Sequence, residues 1–157
     1  MGQQQLLLVI LVTIIVGIAT VVAINIFGTA ADQANRDAVR QDLMGAAVQA
    51  QAIWARPVLM GGANRDFAGA HIDVDDITVR LGIPGTIAAN VVTNENGVYT
   101  VSVVDGDELR VSAAPGSGPT DLMNMNIEFQ EACGAWLITI EDQATGQTTT
   151  SGECPGD

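Results

Sequence analysis

Residues 6–27 read LLLVILVTIIVGIATVVAINIF, and residues 28–55 run on as GTAADQANRDAVRQDLMGAAVQAQAIWA. The fold turns on how these two stretches join. In the first, only Thr13, Thr20 and Asn25 interrupt the apolar run. A helix of that length spans roughly 33 Å, enough for a bilayer core of about 30 Å. In the second, Val39, Leu43, Ala46, Ala47, Ala50, Ile53 and Trp54 recur at steps of three and four. That spacing puts them on one face of an amphipathic helix. Gly28 is the sole candidate breaker between the halves, and residues 32–55 are rich in Ala, Gln and Arg, all good helix formers. Pro57 and then Gly61-Gly62 end the pattern. The spacing predicts one helix from about Gln3 to Ala55, roughly 80 Å long. Asp32 and Arg36, four apart, are expected to support it as a pair. Its first half is apolar all round and needs lipid or other protein around it. Its second half has one apolar face to lay on its own domain.

Charge follows the same division. Residues 1–31 carry no charged side chain, and residues 32–56 balance three Asp against three Arg. Residues 57–157 carry 15 acids against Arg65, Arg80 and Arg110, which accounts for the net charge of −12. There is no Lys. Such a chain lacks the basic surface that phosphates require, so nucleic-acid binding is not expected. An acidic excess of this kind suits a high-salt setting or an outer surface kept soluble by its charge. The expected organisation is a helical part, residues 1–56, and an acidic body, residues 57–157. Within the first, residues 6–27 form a membrane or core segment and residues 28–56 pack on the body.

In the body the pattern shifts toward period two. Residues 88–93, 98–104 and 108–114 read as strands. Asn96-Gly97 is a hairpin signal, because both residues tolerate positive φ. Asp105-Gly106-Asp107 closes a second hairpin, and residues 115–119 form a loop. Residues 126–132 and 136–141 read as further strands, with Trp136, Ile138 and Ile140 on one face. Residues 147–152 return as an edge strand. One amphipathic helix against one antiparallel sheet is an α+β layer architecture. Trp54 and Trp136 are expected where helix meets sheet. The core is small and would gain from a staple. Cys133 and Cys154 can supply it, worth roughly 3 kcal/mol for a loop of this length. An apolar export segment ahead of them favours the disulfide over two free thiols.

The other candidate sites each have a plainer reading. His71 with Asp73, Asp75 and Asp76 has the residue types of a metal cluster, but a solvated strand or loop edge has the same composition. Asp105, Asp107 and Glu108 resemble the opening of a Ca²⁺ loop. The Gly at the sixth position and the Glu at the twelfth are missing, so a turn with exposed carboxylates is the better reading. Thr148, Thr149, Thr150 and Ser151 could carry O-linked glycan, or simply favour a strand. No Asn-X-Ser/Thr sequon occurs. His71 is the only imidazole, and Ser102, Ser112, Ser117 and Ser151 stand in no nucleophile motif, so no enzyme is expected.

An unbroken N-terminal helix, apolar and then amphipathic, followed by an antiparallel sheet and a C-terminal cysteine pair, resembles a type IV pilin. At the level of motif the likeness lies in residues 1–27. In that family a short basic leader is removed after a Gly, and the mature chain opens with a methylated Phe or Met. Met1 fits that first position in a mature chain. The family usually has Glu at the fifth position, docking on a neighbour's amino terminus. This chain has Gln5, which can hydrogen-bond an ammonium but cannot neutralise it. The resemblance implies a homopolymeric surface filament, N-terminal docking through Met1 and Gln5, and no cofactor. It implies a core packed by Leu6, Leu7, Leu8, Ile10, Leu11, Ile14, Ile15, Gly17, Ile18, Val21 and Val22. Its partners would be other copies of the chain, the inner membrane before assembly, a prepilin peptidase and the pilus assembly machinery. A sister family, the pseudopilins of type II secretion, shares this organisation and often carries Ca²⁺ in the body. A single-span anchored extracytoplasmic binding domain is the remaining alternative.

Overall fold

A computed structural model of the chain describes residues 2–118 and 120–154. Helix α1 spans Gly2–Ala55 without a break. The chain divides into two compact units, residues 1–34 and 35–157, and the boundary falls inside α1. The reason is packing. From Asn35 onward α1 buries Val39, Leu43, Ala46, Ala47, Ala50, Ile53 and Trp54, the same seven residues picked out by the spacing.

Seven strands make up the sheet of the second unit: β1 Thr86–Ala88, β2 Val91–Thr93, β3 Gly97–Val103, β4 Glu108–Pro115, β5 Met123–Gln130, β6 Ala135–Asp142 and β7 Gln147–Ser151. Every strand pairs antiparallel with the next in sequence, so the sheet is a pure meander. The class is α+β, with the long helix packed on an antiparallel sheet. One face of the sheet is apolar. Tyr99, Val101, Leu109, Val111, Met123, Met125 and Ile127 are fully buried there, in one core with the helix face. Opposite faces alternate along each strand, and β3 shows it as strict buried–exposed alternation over Tyr99 to Ser102. At one end of this core Trp54 meets Phe129 at 4.4 Å and Trp136 at 5.1 Å between ring centroids. Arg65 lies 5.0 Å above the Trp54 ring.

Several local expectations need correcting. Residues 88–93 are not one strand. They hold the last residue of β1, a turn at Ala89 and Asn90, and all of β2, with φ of 53° at Ala89. The Asn90 amide ties this turn to the Val101 carbonyl at 2.9 Å. The next hairpin turns on Asn94, not on positive φ at Asn96-Gly97. The Asn94 carbonyl oxygen Oδ1 accepts from the Asn96 and Gly97 N–H groups at 2.9 and 3.0 Å. Gly97 is needed for a different reason: a Cβ there would run into the Ala114 carbonyl of β4. Strand β5 starts at Met123, three residues earlier than expected, because Met123 and Met125 belong to the buried face.

Residues 71–73 are a turn and loop, as the plainer reading had it, but residues 74–76 open a helix. Asp73 is the N-cap position of a short helix, α2 Val74–Arg80. Asp75 and Asp76 sit in its first turn and Arg80 in its last, the arrangement its dipole favours. Ile77 and Leu81 anchor it in the core. Arg36 also departs from expectation. Instead of Asp32, it engages Asp142 at 3.0 Å and Asp121 at 3.2 Å. The Asp142 side chain is 2% exposed, and a carboxylate taken out of water requires such partners. Arg40 is a second arginine partner of Asp142, at 3.7 Å.

Candidate self-assembly segment

The first unit is a helical rod of unpartnered apolar side chains. Leu6, Leu7, Leu8, Ile10, Leu11, Ile14, Ile15, Ile18, Val21 and Val22 lie on it between 50% and 70% exposed, and Phe27 is 74% exposed. Gly17 is exposed too, with no atom of the chain near the place of a Cβ. The helix is long and apolar enough to cross a membrane, and none of its most apolar window is buried. Its few hydroxyls are closed off. Thr13 donates to the Ile10 carbonyl and Thr20 to the Val16 carbonyl, both at 2.8 Å. Thr29 donates to the Asn25 and Ile26 carbonyls. A helix whose backbone and hydroxyls are satisfied internally loses little on leaving water, and its apolar surface gains about 1.5–3 kcal/mol per large side chain. Gln5 sits exposed in the first turns of α1. Met1, the other expected docking residue, lies outside the described residues.

In the second unit the expected staple is present: Cys133 and Cys154 form a disulfide with a Cα–Cα distance of 6.0 Å. It ties the chain after β7 to the β5–β6 turn. An apolar N-terminal helix able to span a bilayer, together with a disulfide, points to an extracytoplasmic, membrane-anchored protein.

The acidic turn between β3 and β4 directs its main chain into the protein. The Gly106 carbonyl accepts from the Phe67 N–H at 2.7 Å and from the Trp54 indole at 3.2 Å. Asp105 Oδ1 accepts from the Gly106 N–H at 2.7 Å, while Glu108 lies 3.7 Å from Arg110. Asp105, Asp107 and Glu108 do not converge on one point with other ligands; among the described residues no group of three or more His, Cys, Asp or Glu does. His71 is engaged with the main chain, its Nε2 lying 2.8 Å from the Ala63 carbonyl. Thr148, Thr149, Thr150 and Ser151 form the exposed edge strand β7.

A polar hub has no counterpart among the expected sites. Asp42 Oδ2 accepts from the Tyr99 hydroxyl at 2.7 Å and from the side-chain amides of Asn96 and Asn94 at 3.0 and 3.1 Å. It fastens the amphipathic part of α1 to the β2–β3 hairpin. Burial, and after it the Asp42 carboxylate, push the Tyr99 hydroxyl well above its ordinary range. Nothing local in the sequence signals this hub, because Asp42 lies more than 50 residues from its three donors.

No known protein family, curated protein or solved structure matches this chain.

Proposed function

We propose that the chain is a structural subunit of a type IV pilus-like filament, held in the membrane before assembly and polymerising through residues 6–27. The observation that carries this reading is the exposure of every large apolar side chain on α1 from Leu6 to Phe27. One chain alone cannot cover that surface. Lipid covers it in the precursor, and neighbouring copies cover it in the polymer. The internally bonded threonines suit both surroundings, since neither offers water. Polar closure of the acidic body around its own core leaves its charge outward, where it is solvated. In this reading the protein acts by assembly and not by catalysis.

Electron microscopy of the fraction sheared from source cells, with an antibody against residues 57–157, tests the proposal. Labelling along whole fibres is the expected result. Labelling at fibre ends alone would recast the chain as a minor subunit. Absence of labelled fibres, with the protein retained in the membrane, would overturn the filament reading and leave a membrane-anchored protein that does not polymerise.

A further inference from the structure

The face of the sheet turned away from the helix carries a shallow depression of about 310 Å³. Arg110, Ser112, Asn124, Asn126, Thr139 and Glu141 line it, and no apolar side chain does. Register explains the grouping. Arg110, Asn126 and Thr139 lie directly opposite one another across β4, β5 and β6, and so do Ser112, Asn124 and Glu141. Opposed residues project from the same face of a sheet. The rows continue on β7 with Thr150 and Thr148.

Two features of this depression bear on what it can hold. Asn is disfavoured in strands, yet two stand on the outward face of β5, in the interior of the sheet. Local rules of this kind are broken chiefly where function requires it. The second feature is unused hydrogen-bonding capacity. Asn35, Asn90, Asn94 and Asn96 all commit their amides to other groups of the fold. Among the described residues Asn124 makes no side-chain hydrogen bond, as is also true of the exposed Asn25 and Asn64, and neither do Ser112, Thr139 or Glu141, so these groups are free to meet a ligand. Asn126 engages only its oxygen, accepting from Arg110 Nε at 2.7 Å.

The chemistry of the lining selects a ligand class. A polyanion is disfavoured, because the only cation in the lining, Arg110, already faces Glu108 at 3.7 Å and the chain carries a net charge of −12. A calcium ion requires roughly six to eight oxygens, and Glu141 is the one carboxylate in the lining. An apolar ligand finds no apolar wall. What remains is a ligand that, like the hydroxyls and amides lining the site, both donates and accepts hydrogen bonds over adjacent positions. We propose that this face binds a neutral oligosaccharide, with Asn124, Ser112 and Thr139 as its principal contacts and the β7 threonines extending the track. The volume is at the small end of ligand sites, about 300–1,000 Å³. No aromatic ring is available for stacking, so the affinity of a single site is weak, on the order of 1 mM.

The test uses the full chain in detergent micelles, where the site is complete whether or not the protein polymerises. Amide chemical shifts are followed during separate titrations with cello-, manno-, galacto- and chito-oligosaccharides and with an oligogalacturonate. At least one neutral series is expected to shift Ser112, Asn124, Asn126 and Thr139 saturably. Asn124→Thr should abolish that response while leaving the melting temperature unchanged or raised, since Thr favours the strand. The proposal is overturned if no neutral series moves these residues, if only the oligogalacturonate does, or if the response survives in Asn124→Thr.

Discussion

Asp42 gathers three donors onto one carboxylate oxygen, and Tyr99 is the shortest of them at 2.7 Å. Tyr99 is fully buried and is the only tyrosine of the chain, which also has no Lys. No other side chain of an intact, disulfide-bonded chain has an ordinary pKa near 10, so the ionisation that the unfolded chain gains there belongs to Tyr99 alone. The folded protein holds this proton more tightly than the unfolded chain does. Its contribution to stability is therefore complete below about pH 10 and is lost as pH rises through the raised folded value. Tyr99→Phe is expected to lower stability by about 1.5–3 kcal/mol at neutral pH, the usual worth of a hydrogen bond to a charged group. It should also flatten the alkaline decline. Urea unfolding at about pH 7 and about pH 11 checks both, and an equally steep decline in the variant would remove Tyr99 as its cause. The role of this residue is not legible in the sequence. Asp42 reads locally as one of several helix charges, and only the folded sheet brings Tyr99, Asn94 and Asn96 around it.

At the scale of elements the legibility is uneven, for physical reasons. The amphipathic half of α1 is readable to the residue, because a 3.6-residue period sustained over several turns leaves little choice of buried face. Helix α2 is not, since seven residues with three acidic side chains at or near the start imitate a polar loop. The split between β1 and β2 is hidden because Ala89 gives no sign of the positive φ it adopts. The cysteine pair is legible, as is the apolar helix of residues 6–27 as an element; the polar track across β4, β5 and β6 is not, because register exists only between strands. The staple makes its own prediction. Cys133→Ser is expected to lower stability by roughly 3 kcal/mol, and reduction of the wild type should produce a matching loss. Unfolding curves with and without reductant measure it; coincident curves would show that the bridge contributes nothing. For the apolar segment, Leu11→Arg is expected to eliminate filaments, because an unpaired guanidinium cannot be buried among helices. Wild-type filament yield from that variant, scored by electron microscopy, would refute a buried role for Leu11.

For the whole molecule, the governing quantity is the net charge of −12. The Arg36–Asp142 contact lies in the protein and is screened little, whereas the surface acids repel one another through solvent. Raising NaCl from about 0.01 M to about 1 M shortens the screening length from about 30 Å to about 3 Å. The urea midpoint is expected to rise across this range. A falling midpoint would mean that favourable ion pairs outweigh the repulsion.

The strand order of the sheet bears on something else, the history of each molecule. In β1 to β7 every strand after the first finds a partner in the strand just before it. Pairings this local keep contact order low and loop closures short, so the sheet is built for rapid folding. A chain threaded across a membrane N-terminus first presents these strands one at a time. Each arrives with its partner already outside, so no half-made edge waits long for a distant segment. For a chain that emerges in this way, the order of emergence matches the order of pairing in the sheet, and the disulfide lies at its far end.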